Sequence, residues 1–258
     1  MKIGFFDSGI GGLTVLGHAL KILPFADYIY YADIEHLPYG EKTKSEVRQY
    51  VQNGMDYMAE IKVDAVVIAC NTATSAAGVK LRKNYSFPII GMEPAVKPAV
   101  AYCKEKGKKV LVLATSLTLR EEKFSKLVHR LDATEMVDTI ALGALVKFAE
   151  QFEFDTLAVN QYLEKKFAPL DLSDYGAVVL GCTHFPLFNN VLQQLFTKET
   201  VFFDGSVGAI NHLADILEQK GVAPSLDDKI KFVITNGKLP PSDVDYKKIL
   251  QAYVHSIH

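Results

Sequence analysis

The stretch VDAVVIACNT, Val63 to Thr72, decides how this chain is read. Its centre is a continuous apolar run, the pattern of a parallel strand covered on both faces, whereas a strand with one wet face alternates. It ends in a cysteine followed by two polar residues. A second stretch, AVVLGCTH, Ala177 to His184, repeats the pattern: Ala-Val-Val, a branched aliphatic, a small residue, Cys, and two polar residues.

Working outward, short β-rich runs alternate with longer helical patterns. KIGFF opens the chain as a strand, GGLTVLGHALKIL follows at helical spacing, and DYIYYA is a second strand. Thr43 and Glu46 form a capping box, behind which Val47, Tyr50, Val51, Met55, Met58 and Ile61 fall on one helical face. FPIIG, a helix over Val96 to Lys106, and KKVLVLA continue the alternation. Thr118 and Glu121 read as a second capping box, and one long helical stretch is expected from Ala144 to Phe167. GAVVLG, VFFDG and KFVITNG supply later strands. Strands alternating with helices predict an α/β fold with mostly parallel sheets, and the repeated Cys-ending strand predicts two halves of similar design.

Bulk properties narrow the function. The 258 residues suffice for one large or two modest domains, and 49% hydrophobic with 22% charged residues is ordinary for a soluble globular chain. A net charge of -2 argues against an extended nucleic-acid surface. No apolar run has the length of a membrane span, and MKIGFFDSGIGG turns polar too early for a secretory signal. The three cysteines, Cys70, Cys103 and Cys182, lack CxxC spacing, so neither a disulfide framework nor a zinc knuckle is expected. The simplest location is the cytoplasm, where thiols stay reduced.

Ligands of open α/β sheets gather outside the carboxyl ends of the strands. There the sequence places Asp7 and Ser8 before GIGG, Asp33 before Pro38-Tyr39-Gly40, Cys70-Asn71-Thr72, Thr115-Ser116 with Thr118, and Cys182-Thr183-His184. Taken singly, most have a structural reading. GIGG suits a tight turn and lacks the spacing of a nucleotide loop, Asp7 and Thr118 suit helix caps, Tyr39 suits a packed turn, and Cys103 suits a half-buried helix. The two strand-end cysteines resist that reading. Asn71, Thr72, Thr183 and His184 supply hydrogen bonds, and helices starting after these turns aim N–H groups at sulfur, which favours thiolate.

Three chemistries compete on these residues. A single Cys182–His184 nucleophile pair leaves Cys70 unexplained. A metal site on Cys70, Cys182 and His184 lacks a tight ligand pair. Two thiols facing one carbon from opposite sides would invert a stereocentre by proton removal and return, without any cofactor. Outside enzymes, a module that holds an amino acid without turning it over remains a distinct reading.

FDSGIGGLTVL (Phe6 to Leu16), PYG (Pro38 to Gly40), ACNTAT (Ala69 to Thr74), ATSLT (Ala114 to Thr118) and GCTHFPL (Gly181 to Leu187) are together highly specific. Through them the chain resembles the glutamate racemases of the cofactor-independent aspartate/glutamate racemase superfamily. The resemblance implies two pseudo-symmetric doubly wound α/β domains with the active site in the cleft between them: residues 1–94 completed by 208–258, and residues 95–207. It implies Cys70 and Cys182 as the acid/base thiols, Cys70 acting on D-glutamate and Cys182 on L-glutamate, with Asp7 and His184 as their auxiliary groups. Ser8, Pro38, Tyr39, Gly40, Asn71, Thr72, Thr115, Thr118 and Thr183 fall on substrate-binding positions, and Glu150 on a family glutamate near the site. No metal and no cofactor are implied. The resemblance further implies glutamate as substrate, D-glutamate for peptidoglycan synthesis as product, and a homodimer as one candidate assembly.

The chain departs from the family pattern at Ala32, where Gly usually precedes the Asp of the second strand end, and at Lys147, where proline is frequent. Related aspartate racemases usually carry Glu in place of His184 and His in place of Thr74, so glutamate is favoured over aspartate.

Overall fold

In the computed structural model, which describes residues 1–221, 230–234 and 243–257, the chain opens with β1 (Lys2–Asp7), α1 (Leu13–Ile22) and β2 (Asp27–Ala32). It continues through α2 (Lys44–Glu60), β3 (Ala65–Ile68), α3 (Asn71–Arg82) and β4 (Ile89–Gly91). Next come α4 (Val96–Lys104), β5 (Lys109–Ala114), α5 (Ser116–Arg120), α6 (Glu122–Arg130) and β6 (Val137–Ala141). α7 (Gly143–Glu150), α8 (Leu157–Phe167), β7 (Tyr175–Leu180), α9 (Asn189–Leu195) and β8 (Val201–Phe203) follow. α10 (Ser206–Gln219), β9 (Ile230–Ile234) and α11 (Asp243–Ser256) close the described chain.

The strands form two wholly parallel sheets, ordered β4-β3-β1-β2-β9 and β6-β5-β7-β8. Read in the opposite direction, the second is β8-β7-β5-β6, which matches β4-β3-β1-β2 strand for strand. In each, the chain leaves its first strand toward one neighbour and then crosses to the other. That crossing makes a topological switch point between β1 and β3, and another between β5 and β7. Met1–Met92 with Ser206–His258 forms one compact unit, and Glu93–Gly205 forms the other.

The central strands β3, β5 and β7 are deeply buried. β3 and β7 are buried at every residue, and β5 at all but Lys109. Edge strands β6 and β8 hold no fully buried residue. VDTIA had too broken an apolar pattern to be expected as a strand, because an edge strand does not need a continuous run. α2 keeps its capping box, with the Thr43 side chain accepting from Glu46 N–H and Glu46 returning the bond to the Thr43 N–H, a device stabilising a helix by about 1 kcal/mol. Its buried face of Val47, Val51, Gly54, Met55 and Met58 lies close on the sheet. A Cβ at Gly54 would stand 2.3 Å from the Phe6 ring.

Two expected helix boundaries are corrected. The stretch from Ala144 to Phe167 is two helices, because Phe152 takes a left-handed φ of 61° and Thr156 then starts α8 by accepting from Val159 N–H. α5 is capped by Thr115, whose hydroxyl accepts from Thr118 N–H, while Glu121 stands at the N-cap of α6. Of the expected strand KFVITNG, residues 235–237 lie outside the described residues.

Candidate active site

In the first unit the end of β1 turns at once. Asp7 is fully buried and its Oδ1 accepts the Gly9 N–H at 3.0 Å, a side-chain-to-backbone turn of the kind Asp favours. Tyr30 donates its hydroxyl to Gly9 O at 2.7 Å. The approach is so close that a Cβ at Gly12 would lie 2.6 Å from Asp7 Cβ and 2.7 Å from Tyr30 Oη. Ser8, next along, puts Oγ 3.8 Å from Cys70 Sγ.

Cys70 is 6% exposed and sits between β3 and the first turn of α3, where its sulfur accepts the Ala73 N–H at 3.4 Å. That N–H and the positive end of the helix dipole both favour the thiolate. Thr74 fixes the turn by donating to Ile68 O and accepting from Met92 N–H, each at 3.1 Å. Asn71 and Thr72 are buried beside the thiol, and Asn71 Oδ1 has no hydrogen-bond partner among the described residues. A buried carbonyl oxygen left unpaired is costly and is a natural acceptor for a ligand N–H.

Beyond β2, Tyr39 is buried between half-buried Pro38 and Gly40, after a cis Leu37–Pro38 peptide bond. Its hydroxyl donates to Asp33 Oδ2. Burial, then the charge of Asp33 and its hydrogen bond, then the charges of Cys70 and Asp7, push the phenol far above its ordinary range, so Tyr39 stays protonated.

In the second unit β7 delivers Cys182. Gly181 donates to Leu113 O at 2.7 Å, and a Cβ there would lie 2.9 Å from that carbonyl, so only glycine fits directly before the thiol. Cys182 Sγ stands 3.7 Å from His184 Nδ1, and His184 Nε2 stands 2.7 Å from Glu150 Oε1 on the last residue of α7. The imidazole side chain is 2% exposed and the carboxylate 15%. Burial alone would lower the His184 pKa. The hydrogen bonds to Cys182 and Glu150, with their charges, outweigh it and hold the ring well above its ordinary value. These contacts favour the imidazolium, the form that donates from both nitrogens. Thr115 and Thr118, both buried, bring their hydroxyl oxygens to 3.0 Å, and Thr183 is buried between Cys182 and His184.

The remaining cysteine differs from both. Cys103 donates its thiol to Lys109 O at 3.4 Å among Val96, Val100, Val110 and Val179, and burial pushes its pKa up. Among the described residues, no group of three or more His, Cys, Asp or Glu side chains could hold a metal ion. No described helix is long and apolar enough to cross a membrane.

The partners of the expected residues were harder to read than their places. Glu150 and His184 meet across 34 residues of sequence, with no local signal linking them. Asp33 and His36 do carry one, a spacing of three residues at a strand end, and the structure joins them at 2.9 Å.

Two α/β units that share the order of four parallel strands each follow the switch-point strand with a thiol set among buried polar groups. The Asp/Glu/hydantoin racemase profile matches residues 23–212, and the chain belongs to that family. It is 47% identical over 253 residues to glutamate racemase 2 of Bacillus subtilis (strain 168), covering 97% of this chain and 96% of that protein. It is 50% identical over 221 residues to a glutamate racemase of Halothermothrix orenii, covering 86% and 87%. Among solved structures, Escherichia coli glutamate racemase in complex with L-glutamate and the activator UDP-MurNAc-Ala superposes with a TM-score of 0.86. That protein is 30% identical, with 98% of this chain and 94% of that chain covered.

Proposed function

We infer that the protein interconverts L- and D-glutamate by moving the Cα proton between Cys70 and Cys182, one thiol serving each face of the carbon. The observation that carries this reading is the equivalence of the two sulfurs. Each follows the strand at the switch point of its own sheet, and the two sheets share the order of four strands. Two relatives that cover most of the chain at 47% and 50% identity are named glutamate racemases, which supplies the substrate.

In the step proposed, a cysteine thiolate takes the α-proton and the C–H pair stays on carbon as a carbanion conjugated with the carboxylate. The opposite thiol then gives its proton to the other face. Electrons and protons balance without an oxidant or a carbonyl group. Cys182 acts as base on L-glutamate and Cys70 on D-glutamate. The α-proton is very weakly acidic, so donors aimed at the carboxylate must stabilise the developing charge, and a dry site strengthens them. The hydroxyls of Ser8, Thr72, Thr115, Thr118 and Thr183 suit the two carboxylates, and the unpaired Asn71 Oδ1 suits the ammonium. The Pro38-Tyr39-Gly40 turn joins them in holding substrate. Asp7 assists Cys70. The His184 imidazolium, steadied by Glu150, stabilises the Cys182 thiolate and restores its proton. The reaction is assigned to the cytoplasm, with D-glutamate supplied to peptidoglycan.

The test incubates each enantiomer with the protein in D2O, following optical rotation and deuterium at Cα. Racemisation with deuterium entering the product is expected, and no exchange from either enantiomer would sink the assignment.

A further inference from the structure

We propose that Asp33 and His36 form a positioning pair that fixes Tyr39, and through it the Pro38-Tyr39-Gly40 turn, against the thiol-bearing end of the first sheet. The proposal rests on the reading of this unit as half of a glutamate racemase and adds two residues to its machinery.

Asp33 is 3% exposed and follows β2 directly. Its backbone N–H donates to Asp7 O at 2.9 Å, so the residue is pinned to the end of the strand that carries Asp7 and Ser8. One carboxylate oxygen accepts the Tyr39 hydroxyl, and His36 Nδ1 lies 2.9 and 3.0 Å from the two oxygens. His36 is itself clamped, with its ring stacked on Tyr50 of α2 at a centroid distance of 3.8 Å and 17° between planes. Tyr39 meets Tyr50 at 5.8 Å and Phe6 of β1 at 6.4 Å. An aromatic wall thus holds both ends of the chain of bonds from Tyr39 through Asp33 to His36.

Two consequences follow from the chemistry. The single hydroxyl proton of Tyr39 is committed to Asp33, so the phenol has no proton left to donate to substrate, and its service is to fix the turn. The buried carboxylate needs donors on both sides to be tolerated, so His36 and Tyr39 support one another through it. Loss of either bond frees a turn that holds substrate without touching the proton-transfer groups. Such a change weakens binding of ground and transition states alike and moves KM rather than kcat.

The experiment measures racemisation of D-glutamate by the wild-type protein, Tyr39→Phe, Asp33→Asn, the double variant, and His36→Phe, which keeps a ring on Tyr50. Each of the first two substitutions is expected to raise KM about 10-fold with little change in kcat, and the double variant no more than the worse single. His36→Phe is expected to raise KM about 3-fold. Multiplicative losses in the double variant, a kcat loss at unchanged KM, or an unchanged KM in His36→Phe would each overturn the proposal. A wild-type protein inactive on both enantiomers would instead overturn the assignment of function. In that event the pair is read from thermal unfolding of the same variants, where non-additive shifts in Tm support it and additive shifts overturn it.

Discussion

Cys70 and Cys182 occupy equivalent places in two sheets of the same strand order, yet their surroundings differ in kind. Near Cys70 stand a serine hydroxyl at 3.8 Å and a backbone N–H at 3.4 Å. Beside Cys182 stands a histidine at 3.7 Å, backed by a glutamate at 2.7 Å from its far nitrogen. Duplicated topology sets where a side chain emerges. The local turn then decides what it meets, and here one sulfur takes a helix N–H while the other faces a histidine ring.

The most severe way to break the comparison is to remove the sulfurs one at a time. Cys70→Ser and Cys182→Ser are each expected to lower kcat about 1000-fold or more, because a general acid–base group contributes on that scale. Polarimetry from both enantiomers reads the loss, and undiminished racemisation in either variant would end the two-base scheme.

Exchanging the auxiliary groups sharpens it. His184→Asn is expected to cost about 100-fold in kcat, and Ser8→Ala about 10-fold or less. L- and D-glutamate have equal free energy in water, so kcat/KM must stay the same in both directions for every variant. The asymmetry of the two halves therefore shows in kcat and KM separately. Initial rates from each enantiomer should reveal unequal kcat values in His184→Asn, with KM shifted to match.

Glu150→Gln tests the charge behind the histidine. Cys182 and Glu150 hold His184 above its ordinary 6.5, so the imidazolium is favoured beyond that pH and is lost as pH rises through the raised value. Removing the carboxylate charge should move the basic limb of the kcat/KM profile to lower pH, and an unmoved limb would count against the role of the pair. Stability follows the same sign. The contribution of the raised pKa is complete below 6.5 and disappears as pH rises through the folded value, so the variant should lose most of its Tm deficit at alkaline pH.

The smallest effect is expected at the cysteine that belongs to neither site. Cys103→Ala should leave kcat unchanged and cost about 1 kcal/mol of stability, read from denaturant unfolding, because it removes only a packed thiol and one weak hydrogen bond. A large loss of activity there would show that strand-end placement is not what separates the three thiols.

Much of this frame was legible in the sequence because central parallel strands write themselves as unbroken apolar runs. AVVI in β3 and AVVL in β7 are buried throughout, and the Thr43–Glu46 box marks the start of α2 unaided. β6 escaped because an edge strand with Asp138 and Thr139 inside it has no such run. The break between α7 and α8 escaped because a left-handed Phe152 leaves no mark in a helical periodicity. At the site, the rule that ligands meet strand ends selects candidate positions from sequence alone. It cannot say that Glu150 will reach His184, since that contact depends on where two distant elements pack.

The second unit occupies one uninterrupted run, Glu93–Gly205, set inside the sequence of the first. During synthesis, every residue of the second unit leaves the ribosome before α10 and α11, which pack on α1, and before β9, which extends the sheet beside β2. A Cβ at Gly17 of α1 would lie 2.9 Å from the Tyr253 ring, so that late docking is close. Domains fold largely as units while the chain emerges. The half that carries Cys182 can thus be complete while the half that carries Cys70 still waits for its own end. The unit that begins the chain is the last to close.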